Sequence, residues 1–133
     1  MEKEVIFNLI GLASSAFLAI LFLQSGWDKI RHRTGNAEWL RVHFSKTAFR
    51  SMVPLLLTVL TVFEILTGIL SAFGFLVLLI WDDPFLATLG YVMAAVTILS
   101  LFMGQRLAKD YAGAAALTGY FLIVMVALYV ISF

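Results

Sequence analysis

One acidic residue, Glu64, lies inside a long apolar segment of this sequence. A charged group at the centre of a membrane-spanning helix costs about 2.5–3.5 kcal/mol on insertion scales, so such a residue usually faces other helices. Small and polar residues recur around it at steps of three or four, which predicts one shared helix face: Thr58, Thr61, Gly68 and Ser71. Glu64 is then either a proton-accepting or ligand-contacting carboxyl, or a structural hydrogen-bonding group between helices.

A second set of polar side chains lies where two apolar segments end. Gln24 and Lys29 are at the end of the first segment, and Gln105, Arg106 and Asp110 follow the third. Alternate ends of spanning segments reach the same membrane surface, so these groups are expected to form one polar patch, with Arg106 and Asp110 paired on one helix face. The patch suits a quinone carbonyl, a lipid phosphate or a partner's carboxylate. The alternative is a basic rim that only sets the topology.

Several kinds of chemistry are excluded or disfavoured by composition. The sequence has no cysteine, which excludes a thiol nucleophile and a Cys-ligated metal centre. His32 and His43, the only histidines, lie in one polar stretch without a nearby carboxylate pattern, so we expect no metal site. The net charge of +1 gives no indication of a nucleic-acid partner. We expect no catalytic residue.

The composition as a whole indicates a membrane protein. Of the 133 residues, 62% are hydrophobic and 13% are charged, whereas a soluble domain is roughly 45–50% apolar and about 25% charged. Mean hydropathy is +1.02. Four apolar segments are long enough to cross a bilayer, which takes about 20 residues: 5–27, 52–80, 85–104 and 112–133. The sequence therefore predicts an all-α membrane protein, a single domain that forms a bundle of four transmembrane helices.

The polar stretch between the first two apolar segments carries aromatic and aliphatic residues at rough helical spacing. Asn36 is a suitable N-cap for a helix there. The spaced residues are Trp39, Leu40, Val42, His43, Phe44, Ala48 and Phe49. We expect a short amphipathic helix lying on the membrane surface, with an ordinary solvated loop as the alternative.

Short motifs along nearly the whole chain resemble the DoxX family of small four-helix bacterial membrane proteins. The first apolar segment ends in a phenylalanine–glycine–lysine pattern, and the second carries an acid-and-glycine pattern, both similar to the family's. The matching residues, in chain order, are Phe22, Gly26, Lys29, Glu64, Gly68 and Gly74. Residues 104–114 resemble a stretch of Bacteroidetes-type members, whereas residues 51–54 lack the Gly-Pro that many members have.

The resemblance implies a function, which remains an expectation. Some relatives are membrane subunits of a thiosulfate:quinone oxidoreductase, and others associate with redox or stress-protection partners. The resemblance implies that this chain is a non-catalytic subunit or scaffold in the bacterial inner membrane. Such a subunit would contact lipids, a membrane or redox protein, and a quinone. The candidate residues for contacting a quinone or a partner are Glu64, Gln24, Lys29, Gln105, Arg106 and Asp110. The alternative is a stand-alone small-molecule carrier with Glu64 as its proton-coupled group.

Lysine and arginine are unequally divided between the two membrane sides. Eight of the nine lie in residues 28–51 or 105–111, which four spans place on one side, and only Lys3 lies on the other. An excess of Lys and Arg in short loops marks the cytosolic side. We therefore expect both loops in the cytosol and both termini outside it.

Reporter fusions test this orientation. A phosphatase that is active only outside the cytosol should be active when fused after Phe133 and inactive when inserted within residues 105–111. A cytosolic signal after Phe133 would contradict the orientation. Reporters on opposite sides at the two termini would contradict the number of crossings.

Overall fold

The computed structural model describes residues 2–43 and 53–132, which form five α-helices. They are α1 (Lys3–Arg31), α2 (Arg33–His43), α3 (Val53–Trp81), α4 (Phe85–Leu107) and α5 (Tyr111–Ile131). Four of them, α1, α3, α4 and α5, are long and apolar enough to cross a membrane. Helices are suited to hydrocarbon because they satisfy their backbone hydrogen bonds internally. The chain is thus a multi-pass membrane protein, and the predicted fold class is confirmed.

Two spanning helices extend further than the predicted segments at the basic end of the bundle. α1 continues to Arg31 and α4 continues to Leu107, whereas the apolar runs predicted that these helices end at residues 27 and 104. Long charged side chains near the end of a helix can extend to water. A helix can therefore continue beyond the end of its apolar run. At the opposite end, the backbone N–H of Phe85 donates to Asp83 Oδ1 at 3.0 Å and fixes the turn into α4.

The short helix predicted between the first two spans is α2, and it begins earlier than expected. His32 alone separates it from α1, and the His32 N–H donates to the Asp28 carbonyl at 2.8 Å, so the backbone runs on almost without a break. Its first residue is Arg33, three positions before the predicted N-cap Asn36. The expected positions Phe44, Ala48 and Phe49 lie outside the described residues.

The four spanning helices form a ring around the main apolar core of the described residues. α1 packs on α3 and α5, and α4 packs on the same two helices. Short turns at residues 82–84 and 108–110 make α3, α4 and α5 antiparallel neighbours. The core side chains come from all four helices and include Leu18, Phe22, Leu78, Tyr91 and Val124.

Glycines set the spacing between helices. A Cβ on Gly68 would lie 2.7 Å from the Leu23 side chain, and a Cβ on Gly26 would lie 2.5 Å from that of Ile65. α1 and α3 therefore meet closely and in antiparallel register. Small residues permit such approach between membrane helices, where packing and not the hydrophobic effect holds helices together.

The turn from α4 to α5 uses a non-glycine residue in the left-handed region. Lys109 has φ 61°. Its N–H donates to the Arg106 carbonyl at 3.1 Å, and the Asp110 N–H donates to the Gln105 carbonyl at 2.9 Å. These two bonds form a Schellman motif, which ends α4 firmly at this point.

The predicted pairing of Arg106 with Asp110 is wrong. α4 ends at Leu107, so the two residues do not share a continuous helix face. Asp110 instead caps α5, where its Oδ1 accepts from the Gly113 N–H at 3.1 Å. The Arg106 guanidinium lies over the Tyr111 ring, 4.6 Å from the ring centroid.

Gly74 should be the most sensitive glycine in the bundle. A Cβ there would lie 2.7 Å from the backbone of Ala87, which cannot move as a side chain can. We expect Gly74→Ala to separate α3 from α4 and to lower the unfolding temperature in detergent by several degrees, since overpacking typically costs about 1–3 kcal/mol. Gly119→Ala is the control, because no atom lies within 4 Å of its added Cβ. Equal unfolding temperatures for the two variants would contradict the close contact.

Candidate functional site

An ion pair inside the bundle joins α1 to α3. Lys29 Nζ lies 3.0 Å from Glu64 Oε1 and 3.3 Å from Oε2, and it donates to Ser25 Oγ at 3.3 Å. The Glu64 side chain is 0% exposed and that of Lys29 is 22% exposed. A buried carboxylate needs a paired cation. Lys29 therefore connects the interior acid with the surface of the bundle.

The position of this pair follows from the packing of α1. Gly26 and Lys29 are three residues apart and lie on one face of the helix. The close contact of Gly26 with Ile65 brings this face within reach of Glu64, the residue next to Ile65. The flexible stem of Lys29 covers the remaining distance.

The buried face of α3 is mostly as predicted. Thr61, Glu64, Gly68 and Ser71 are all buried among the other helices. Thr58 is exposed, which corrects its predicted place on this face. At 100° per residue it lies about 120° round the helix from Glu64.

Neutral hydrogen bonds link α4 to α3 and to α1. The hydroxyls of Thr67 and Thr97 lie 2.9 Å apart and link α3 to α4. Tyr91 accepts from Ser15 Oγ at 3.0 Å and donates to the Gly11 carbonyl, which links α4 to α1. Tyr91 is fully buried, and the sequence reasoning missed its role. Its position within an apolar run was the available signal, since a buried tyrosine needs a hydrogen-bond partner.

A cleft of about 880 Å³ opens between α3 and α4. Its walls are largely aliphatic and aromatic and include Leu56, Leu60, Phe63, Val96, Leu99 and Met103. Lys29, Gln105 and Asp110 also line it, so three of the predicted site residues meet in one cavity. Glu64 is connected to the cleft through its ion pair with Lys29.

Gln105, which lines this cleft, carries an unpaired amide oxygen. Its Oε1 is buried and has no hydrogen-bond partner among the residues that the structure describes. A buried acceptor without a partner costs about 1–3 kcal/mol. The amide is therefore suited to a ligand that brings a hydroxyl or another donor into the cleft.

Besides Glu64, two predicted site residues do not line the cleft. Gln24 is exposed, because five residues turn it about 140° away from Lys29 on the same helix. Arg106 is also exposed and contacts Tyr111. The predicted single patch is thus divided. Lys29, Gln105 and Asp110 line the cleft, whereas Gln24 and Arg106 are exposed on the bundle surface away from it.

Comparison of the chain with protein-family models, with curated proteins and with solved structures found no significant match.

The ion pair predicts unequal effects for its two partners. Lys29→Met leaves a fully buried carboxyl without its cation, and breaking a buried pair in this way typically costs about 3–5 kcal/mol. Glu64→Gln should cost much less, because the amide still accepts a hydrogen bond and the partly exposed Lys29 can turn towards the surface. Unfolding in detergent measures both. A Glu64→Gln variant that is as unstable as Lys29→Met would contradict this asymmetry.

Proposed function

We propose that this chain is a DoxX-like, non-catalytic membrane subunit that holds a quinone in the α3–α4 cleft for a redox partner. The observation that carries the proposal is the cleft itself, an apolar cavity of about 880 Å³ that contains a few converging polar side chains. Sites for apolar cofactors have this composition, with hydrophobic walls and few polar groups that fix orientation.

The polar groups match the two redox forms of a quinone. The Lys29 ammonium and the Gln105 amide can each donate a hydrogen bond to a quinone carbonyl. The unpaired Gln105 Oε1 is buried, and a rotation of the amide towards the cleft would let it accept a hydrogen bond from the hydroxyl of a quinol. The isoprenoid tail of such a ligand suits the aliphatic walls formed by residues such as Leu60 and Leu99.

The redox partner and the membrane are proposed from the family resemblance and from charge. Lys29, Arg31, Arg33, Arg106 and Lys109 lie at or beyond the ends of α1 and α4, which are at one end of the bundle. This asymmetry supports a cytosolic basic end in the bacterial inner membrane, with both termini outside. A soluble or membrane redox protein would dock at that end and supply electrons to the quinone.

The carrier alternative has less support. A proton-coupled carrier needs an acid that a substrate or water can reach, whereas Glu64 is 0% exposed and already paired with Lys29. Gly26 packs tightly against Ile65, and Gly68 packs tightly against Leu23, in the stretch of the α1–α3 contact next to the pair. A substrate path through this point would require α1 and α3 to separate.

Gln105 and Gln24 provide a matched test of quinone binding. We expect Gln105→Leu to weaken binding of a short-tailed benzoquinone to the purified protein about fivefold to tenfold, the effect of one lost hydrogen bond. Gln24→Leu removes the same amide from a residue that does not line the cleft, and it should leave the affinity unchanged. Titration calorimetry in mild detergent measures both affinities. Equal affinities for the two variants would contradict a quinone in this cleft.

A further inference from the structure

A second, smaller cavity lies beside α2 and the start of α3, apart from the α3–α4 cleft. Its volume is about 240 Å³, and it is lined by Arg33, Thr34, Glu38, Arg41 and Pro54. Pro54 is in the first turn of the spanning helix α3, so the cavity lies at the boundary of the apolar segment. This is the level at which lipid headgroups are found.

Arg33 is held in place at one side of this cavity. Its Nη2 donates to Thr58 Oγ1 at 2.6 Å and to the Pro54 carbonyl at 3.3 Å. A guanidinium carries five N–H donors, so donors remain after these bonds. The bonds from α2 to α3 thus present a positioned cation to the cavity.

Glu38 and Arg41 are the other charged residues that line the cavity in the part of the chain that the structure describes. Both are exposed, and within the described ranges neither has a hydrogen-bond or ion-pair partner. They are three residues apart on α2 and do not neutralise each other, although residues at this spacing often pair. From the described residues, the cavity therefore offers two guanidinium groups and one carboxylate.

We propose that this cavity binds the headgroup of an ethanolamine phospholipid. Arg33 and Arg41 donate to the phosphate oxygens, since guanidinium groups match phosphate geometry. Glu38 accepts from the primary ammonium. The acyl chains then follow the exposed apolar residues next to Pro54, of which Leu55 is 58% exposed and Val59 is 39% exposed.

The charge pattern favours this headgroup over others. A phosphoglycerol headgroup has no cation to face Glu38, so its phosphate would meet an unpaired carboxylate. A choline headgroup carries a cation without any N–H and cannot donate a hydrogen bond to Glu38. A headgroup with both a phosphate and a primary amine satisfies all three charged side chains. A serine headgroup also has both groups, but its carboxylate, on the same carbon as the ammonium, would lie beside Glu38.

Native mass spectrometry of the detergent-solubilised chain, with one dioleoyl lipid added at a time, tests the proposal. The native chain should bind phosphatidylethanolamine at least about fivefold more tightly than phosphatidylcholine or phosphatidylglycerol. Arg41→Gln should weaken binding of all three lipids about fivefold, the usual contribution of one basic residue at a membrane surface. Glu38→Gln should remove the preference for ethanolamine over choline and leave phosphatidylglycerol bound at least as well.

Arg31→Gln is the matched control, because Arg31 is an exposed arginine near the end of α1 that does not line the cavity. It should leave all three affinities unchanged. Equal loss for Arg31→Gln and Arg41→Gln would overturn the site in favour of general charge attraction. A native chain without the ethanolamine preference, or displacement of the lipid by millimolar inorganic phosphate, would also overturn the proposal.

Discussion

The Lys29–Glu64 ion pair is the interaction on which the rest of the bundle depends. A fully buried carboxylate is tolerated only beside a cation, and the cation reaches it only if α1 and α3 pack in one register. Gly26 and Gly68 permit that register by letting the two helices approach closely. The pair therefore acts together with the glycines. The two charges favour the contact between α1 and α3, and the lack of side chains on the glycines allows the short distance between these helices.

The same pair gives the α3–α4 cleft its chemical character. Lys29 is shared between Glu64 inside the bundle and the cleft beside it, so the cleft contains an ammonium whose charge is already balanced. A cation that is already paired with a carboxylate can donate hydrogen bonds to a neutral ligand. With the unpaired Gln105 Oε1, this arrangement suits a neutral ligand that exchanges between carbonyl and hydroxyl forms.

Hydropathy alone predicted the four spans, because each helix must expose apolar residues to lipid along its length. The burial of Glu64 and Thr61 was also predictable, since both the penalty for lipid exposure and the helical spacing pointed the same way. The division of the polar patch was not. The division depends on where α4 ends. The helix ends because Lys109 adopts a left-handed backbone conformation, which a lysine does not predict. The pairing of Lys29 with Glu64 depends on the register of two helices, which local spacing does not contain.

The burial of Glu64 also has a consequence for biosynthesis. α1 is synthesised first, with Lys29 close to the membrane surface, whereas α3 enters the bilayer with an acid that has not yet met its cation. The apolar content of α3, in which an 18-residue window has a mean hydropathy of 2.3, is high enough for insertion despite that acid. Lateral docking of α3 on α1 is then the step that removes the unfavourable group from lipid contact. The ion pair thus adds an electrostatic preference for this docking step to the close packing that holds the bundle together.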